Sequence, residues 1–186
     1  MERSQNLLIT RGFDGVSVGD LVAAAGVPKG SFYNHFASKE QFAVEHVRRY
    51  VRFLDLDALR DLTEPASDAI RHHFERQIAA RRNGSMPTAC LLGTLSTGVG
   101  NSYPDLRQAV REGFEEWISA LSGALAVARE AGEIPVDTDP DSVAAALVDG
   151  LEGALARAQV TGERRPLHNF MRTTLVALIE KNSPAT

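Results

Sequence analysis

The chain has 186 residues, is 44% hydrophobic and 24% charged, and carries a formal net charge of -4. That mass suits one large helical domain or a small domain joined to a larger one. The acidic total is not the profile of a nonspecific nucleic-acid binder. A single cysteine, Cys90, excludes an intrachain disulfide. No apolar run approaches the roughly 20 residues that span a bilayer, and the opening residues Met1–Asn6 carry no signal-peptide pattern. A soluble, cytoplasmic protein without a membrane partner is expected.

Taken in order, the segments repeat a helical period and contain no convincing strand or hairpin. An all-α fold of eight or nine helices follows. A first helix is expected over about residues 2–11, ended by Gly12, and a second over about 18–25 behind Ser17 as N-cap. Gly26 supplies a left-handed stop, and Pro28 fits the first position of a short helix over about 28–35. Ser38 and Gln41 have capping-box spacing at the start of a fourth helix reaching the mid-fifties. Prolines then divide the chain into helical segments of about 65–82, 87–101, 104–131, 140–161 and 166–181. Gly132 is placed to stop the 104–131 helix, and Asp139-Pro140 to start the next. The division expected is a head over residues 1–50 and a helical body over 51–186. Residues 1–52 hold seven Lys/Arg against five Asp/Glu, while the remainder is acidic. This asymmetry suits contact with DNA through one end.

Within the head, Val18, Leu21, Val22 and Val27 can pack where two short helices meet at Gly26. Phe32 and Phe36 lie four apart and should face inward. Lys29, Ser31, Tyr33 and Asn34 are left outward, with His35 near the edge. An amide can read base edges and the other groups can hold phosphates, so this face suits a major groove. A generic helical hairpin with a polar surface has the same periodicity.

The residues Gly12-Phe13, Val16-Ser17-Val18, Ala23-Ala24-Ala25-Gly26-Val27, Lys29 through Phe36 and Ser38-Lys39-Glu40 resemble the signature of the tetracycline-repressor (TetR) family. The resemblance implies a three-helix helix-turn-helix head on a larger helical domain that binds ligand and dimerises. By position, it puts Ser17 and Val18 where the second helix approaches phosphate. Lys29, Gly30 and Ser31 fall at the reading end of the recognition helix. Tyr33 and His35 take positions that touch backbone or base, and Lys39 takes a phosphate-contacting one. The glycine at position 30 leaves room for DNA to come close. The first helix is about two turns shorter than the family pattern. Either phosphate contacts from an N-terminal arm are lacking, or the start is truncated.

In the body, residues 140–161 carry one stripe of Val143, Leu147, Leu151 and Leu155 and another of Ala146, Gly150, Ala154 and Ala158. The family pattern implies a four-helix homodimer interface from the last two helices, with Leu167, Phe170, Met171, Thr174 and Leu178 on the second. Intrachain core is the competing reading. A dimer is required to address half-sites roughly 34–36 Å apart on operator DNA. Phe114 and Trp117 are candidates to line an effector cavity. Cys90 lies near a helix start in Cys90-Leu91-Leu92-Gly93-Thr94-Leu95, a run similar to a branch of the family that senses electrophiles. A buried inert thiol is the alternative there.

The neighbours His72 and His73 point about 100° apart on a helix and share no ligand face. No Cys/His spacing marks a zinc site, no nucleophile is paired with a base, and no glycine loop cradles phosphate. The function expected is ligand-controlled repression at a palindromic operator, with no cofactor, metal or catalytic residue. Two rivals stand beside it: an enzyme with a helical pocket, and a family member acting as a protein partner.

Overall fold

The computed structural model describes residues 2–82, 87–99 and 102–179. Its helices are α1 (Glu2–Arg11), α2 (Val18–Ala25), α3 (Lys29–Tyr33), α4 (Lys39–Phe53), α5 (Asp57–Arg60), α6 (Ala66–Arg82), α7 (Leu91–Gly98), α8 (Pro104–Glu130), α9 (Pro140–Thr161), α10 (Arg165–Asn169) and α11 (Val176–Ile179), with a π-helical turn over Phe170–Leu175. No strand occurs among the described residues. The end of the helix expected over 166–181 lies outside them.

Local chemistry sets most of these boundaries. Ser17 caps α2 through its hydroxyl, which accepts the Asp20 N–H at 3.1 Å, while the Asp20 carboxylate takes the Ser17 N–H at 2.8 Å. Those bonds from Ser17 hold the Asp20 carboxyl below its usual range. Gly26 ends α2 at φ 70°. At that angle a side chain would meet its own backbone, so glycine is the natural stop. Asp139 and Pro140 open α9 as expected, with the proline in the first turn.

The third helix is shorter than expected. Pro28 sits just before it rather than within it, and the Phe32 carbonyl accepts the N–H groups of both His35 and Phe36, closing a turn. At the start of α4, Ser38 accepts the Gln41 N–H at 3.0 Å, but the Gln41 side chain returns to the N–H of Ala37, at 2.6 Å, rather than to Ser38. The segment expected to begin at 87 begins at Leu91, with Cys90 as its cap residue. The single turn α5 escaped the sequence reading. It is held by buried Leu56 and Leu59 and by a 2.9 Å ion pair of Arg60 with Asp57.

The chain forms two compact units, residues 1–53 with 89–114 and residues 54–88 with 115–186. The first therefore takes in α7 and the start of α8 as well as the expected head. There the Ser4 hydroxyl donates to the Leu21 carbonyl and that of Thr94 to the Ile9 carbonyl, both at 3.2 Å. Tyr103 meets Phe13 edge-on at 4.5 Å and donates to Asp14 at 3.0 Å. Glu40 on α4 accepts the N–H groups of Asp105 and Leu106, at 3.1 and 3.2 Å. These are orphan donors of the first turn of α8, so a carboxylate from one helix completes another.

The second unit is built around Phe74, Trp117, Leu121, Leu147, Leu151 and Leu155, all essentially without solvent exposure. Phe74 packs against Phe170 at 5.1 Å. A methyl group on Gly150 would meet Thr174 at 3.2 Å and Phe170 at 3.3 Å. The small residue thus lets α9 and the π turn of the same chain approach each other. This corrects the stripe assignment. Leu147, Leu151, Leu155, Ala154, Ala158, Leu167 and Phe170 are buried within the chain, so they are core rather than a free dimer face. The exposed small and apolar residues of α9 are Ala146, Gly153, Ala156 and Val160. The Leu178 side chain lies outside the described residues.

Candidate nucleic-acid interface and ligand site

Five residues are far too few for a helix to persist alone in water. What holds α3 is a set of rings. Phe32 is buried and stands 5.4 Å from Phe36 and 5.5 Å from Phe42. Phe36 and Phe42 meet at 5.0 Å, and Phe42 stacks on His46 at 4.0 Å. With this edge turned inward, Lys29, Gly30, Tyr33, Asn34 and His35 are exposed and Ser31 is half-buried. Tyr33 keeps 56% of its surface open to solvent while lying edge-on to Phe32 at 5.3 Å. The surface thus offers an ammonium, a phenol, an amide and an imidazole. A Cβ on Gly30 would meet nothing within 4 Å. The protein's own packing does not demand glycine there.

The flanking positions are less free. Ser17 is exposed, but its N–H and its hydroxyl both donate to Asp20. Val18 is half-buried. The Lys39 ammonium donates to the carbonyls of Phe13 at 3.0 Å and Val16 at 3.1 Å, and stands 4.1 Å from the centre of the Phe13 ring. It ties the turn after α1 to the start of α4. An ammonium has three donors, so one N–H remains for another acceptor.

The ligand candidates are divided by the unit boundary. Cys90 and Phe114 belong to the first unit and Trp117 to the second. Cys90 is buried, and its Sγ accepts the Tyr50 hydroxyl at 3.3 Å. Phe114 is half-buried. Trp117 has no exposed surface and donates its indole N–H to His73 Nε2 at 2.8 Å. Burial pushes the His73 imidazole down to about 3, so it is neutral at ordinary pH. Sequence reasoning placed His72 and His73 on different faces but missed the Trp117 partnership, whose members lie 44 residues apart. His72 is exposed and pairs with Glu64 at 2.9 Å. In the first unit an open cleft of about 310 Å³ is lined by residues including Glu40, Val44, Arg48, Gln108 and Glu112, and by neither Cys90 nor Phe114. No cluster of three or more His, Cys, Asp or Glu able to hold a metal gathers among the described residues.

A short helix held by rings behind a glycine-stopped partner, with its polar side in solvent, defines a helix-turn-helix DNA-binding regulator. Residues 1–45 match the model of bacterial regulatory proteins of the tetR family, and residues 66–174 match the tetracyclin repressor-like C-terminal domain. The chain belongs to the TetR family of transcriptional regulators. It is 31% identical to the HTH-type transcriptional repressor DhaR of Mycobacterium sp. (strain GP1), over 96% of this chain and 90% of that protein. It is 30% identical to the HTH-type transcriptional repressor NemR of Escherichia coli, over 90% of this chain and 85% of that one. A crystal structure of a regulatory protein TetR from Rhodobacter sphaeroides superposes with a TM-score of 0.84 at 30% identity, covering 96% of each chain. The reduced form of E. coli NemR superposes with a TM-score of 0.81 at 28% identity, covering 97% of this chain and 95% of that one.

Proposed function

We propose that the chain is a cytoplasmic, homodimeric repressor that holds a palindromic operator and releases it when a small molecule or electrophile binds. The observation that carries the reading is the polar face of α3. Lys29, Tyr33, Asn34 and His35 are exposed over the ring cluster of Phe32, Phe36 and Phe42. In this reading Asn34 contacts base edges, while Lys29, Ser31, Tyr33 and His35 hold backbone or base. Gly30 admits the duplex backbone. Ser17, Val18 and the remaining N–H of Lys39 flank the phosphates. Asp20 beside Ser17 makes that flank less favourable to an anion than the sequence suggests.

The second copy is taken on the exposed strip Ala146, Gly153, Ala156 and Val160 of α9 with Thr173 and Ala177 after α10. Small side chains there permit close helix contact. The link from ligand to head is assigned to α4 and α8, because Glu40 closes the first turn of α8 and neither element can shift without breaking those bonds. The required coupling is modest, typically about 1–3 kcal/mol.

Selection of bound duplexes from a random pool tests the reading. A two-fold-symmetric site with half-sites about one helical turn apart is expected, and Tyr33→Ala should lose it while melting normally. Recovery of no symmetric site, or full affinity in Tyr33→Ala, refutes the assignment. Electrophile sensing at Cys90 is supported by its place at the start of α7 and by the similarity to NemR. Because the thiol is buried against Tyr50, reaction requires local opening. Cys90→Ser should bind operator and ignore electrophiles. Normal release in that variant rejects the thiol as sensor.

A further inference from the structure

The inward face of α6 is unusual in chemistry. His73, Gln77 and Arg81 follow at four-residue spacing, and all three are buried. Among them and beside them stand the apolar residues Ile70, Phe74 and Ile78. A few polar groups in a mostly apolar lining is the composition of a small-molecule site. The Gln77 amide is committed to the Leu54 carbonyl at 3.2 Å. His73 is different. The Trp117 indole has a single N–H and cannot accept, so His73 Nε2 carries the lone pair of that bond. In a neutral imidazole the proton then sits on Nδ1. The Nδ1 atom is buried and meets no acceptor. A buried, fixed donor without a partner calls for one that the protein does not supply.

We propose that the Nδ1–H of His73 is the polar anchor of the effector site, and that it takes the acceptor oxygen of a small uncharged carbonyl compound. This rests on reading the chain as a ligand-responsive regulator. The rings decide the class of ligand. Phe74 and Trp117 stand 5.3 and 5.8 Å from the His73 ring, and Phe170 packs on Phe74. A carboxylate would have to shed its water against aromatic faces, which costs far more than stripping a ketone. Trp117 orients the imidazole and locks its tautomer.

Trp117 is the only tryptophan of the chain, so its emission reports directly on this position. The probes are unreactive ketones from butanone to cyclohexanone, each compared with the alkene that replaces its oxygen by a methylene. Wild-type protein should show a saturable change in emission with a ketone, bound about tenfold more tightly than its alkene. His73→Gln places an amide near Nε2 and removes the donor at Nδ1, so it should lose that preference. His73→Asn places an amide N–H near Nδ1 and should keep it. Histidine nitrogen NMR should find the proton on Nδ1 and see it shift with ketone. The idea is overturned if no ketone saturates the wild-type emission, if His73→Gln binds ketone as wild type does, if the proton is on Nε2, or if an ordered water alone meets Nδ1 with no ketone displacing it. The same preparations are tested for operator binding. Intact operator binding without ketone binding removes this site and leaves the regulator standing. Loss of operator binding in the wild type removes the regulator itself.

Discussion

The helices α3 and α6 treat polarity in opposite ways. In α3 the rings turn inward and the donors stand in solvent, so water or a nucleic acid can satisfy them. In α6 a histidine, a glutamine and an arginine turn inward with the apolar residues and must be met by specific partners. The first arrangement makes a surface whose groups are free to be exchanged between water and DNA. The second makes an interior whose geometry depends on each partner being present. A regulator needs both: an exposed set that reads and an enclosed set that responds.

Three measurements sharpen this contrast. The largest effect is expected at Phe32, where the whole of α3 leans on one buried ring. Phe32→Ala should cost about 3–5 kcal/mol in chemical denaturation and abolish operator binding. A loss below 1 kcal/mol would mean that α3 is held by something other than its rings.

The next effect is in pH. His73 is held near 3 in the fold against about 6.5 in an unfolded chain. Above pH 6.5 both states are neutral at this ring and stability is full. As pH falls from 6.5 towards 3, only the unfolded chain takes the proton, so stability is lost by about 1.4 kcal/mol per unit from this group. Denaturation at pH 6.5 and pH 5 should differ by about 2 kcal/mol more in wild type than in His73→Gln. Equal pH dependence would show that His73 is not buried neutral.

The smallest effect is at Gly30. Its Cβ position is empty, so Gly30→Ala should keep or slightly raise the melting temperature, by up to about 1 kcal/mol of helix preference. Operator affinity should nonetheless fall about tenfold, read by gel shift at fixed salt. Unchanged affinity would place the duplex backbone elsewhere.

The elements legible in advance were those set by local chemistry. Ser17 with Asp20, Gly26 and the Asp139-Pro140 start each act within a few residues, and each fixes the boundary expected of it. The inward Phe32 and Phe36 and the outward Tyr33 followed from helical spacing in the same way. What could not be read depends on distance along the chain. Glu40 capping α8, Lys39 reaching the Phe13 and Val16 carbonyls, and Trp117 meeting His73 join residues with no periodic relation. The leucine stripe of α9 misled for a related reason. Spacing shows that a face is apolar but not whether its partner is the same chain or a second copy.

The π turn at Phe170–Leu175 carries a consequence for chain length. Such a turn holds one residue more than an α-helical turn would. Removing a single residue there would restore ordinary winding and rotate everything downstream by about 100°. Thr173 and Ala177 would then no longer look in the directions they do now. Association with a second copy should therefore tolerate many side-chain changes in this stretch and yet fail on a one-codon deletion.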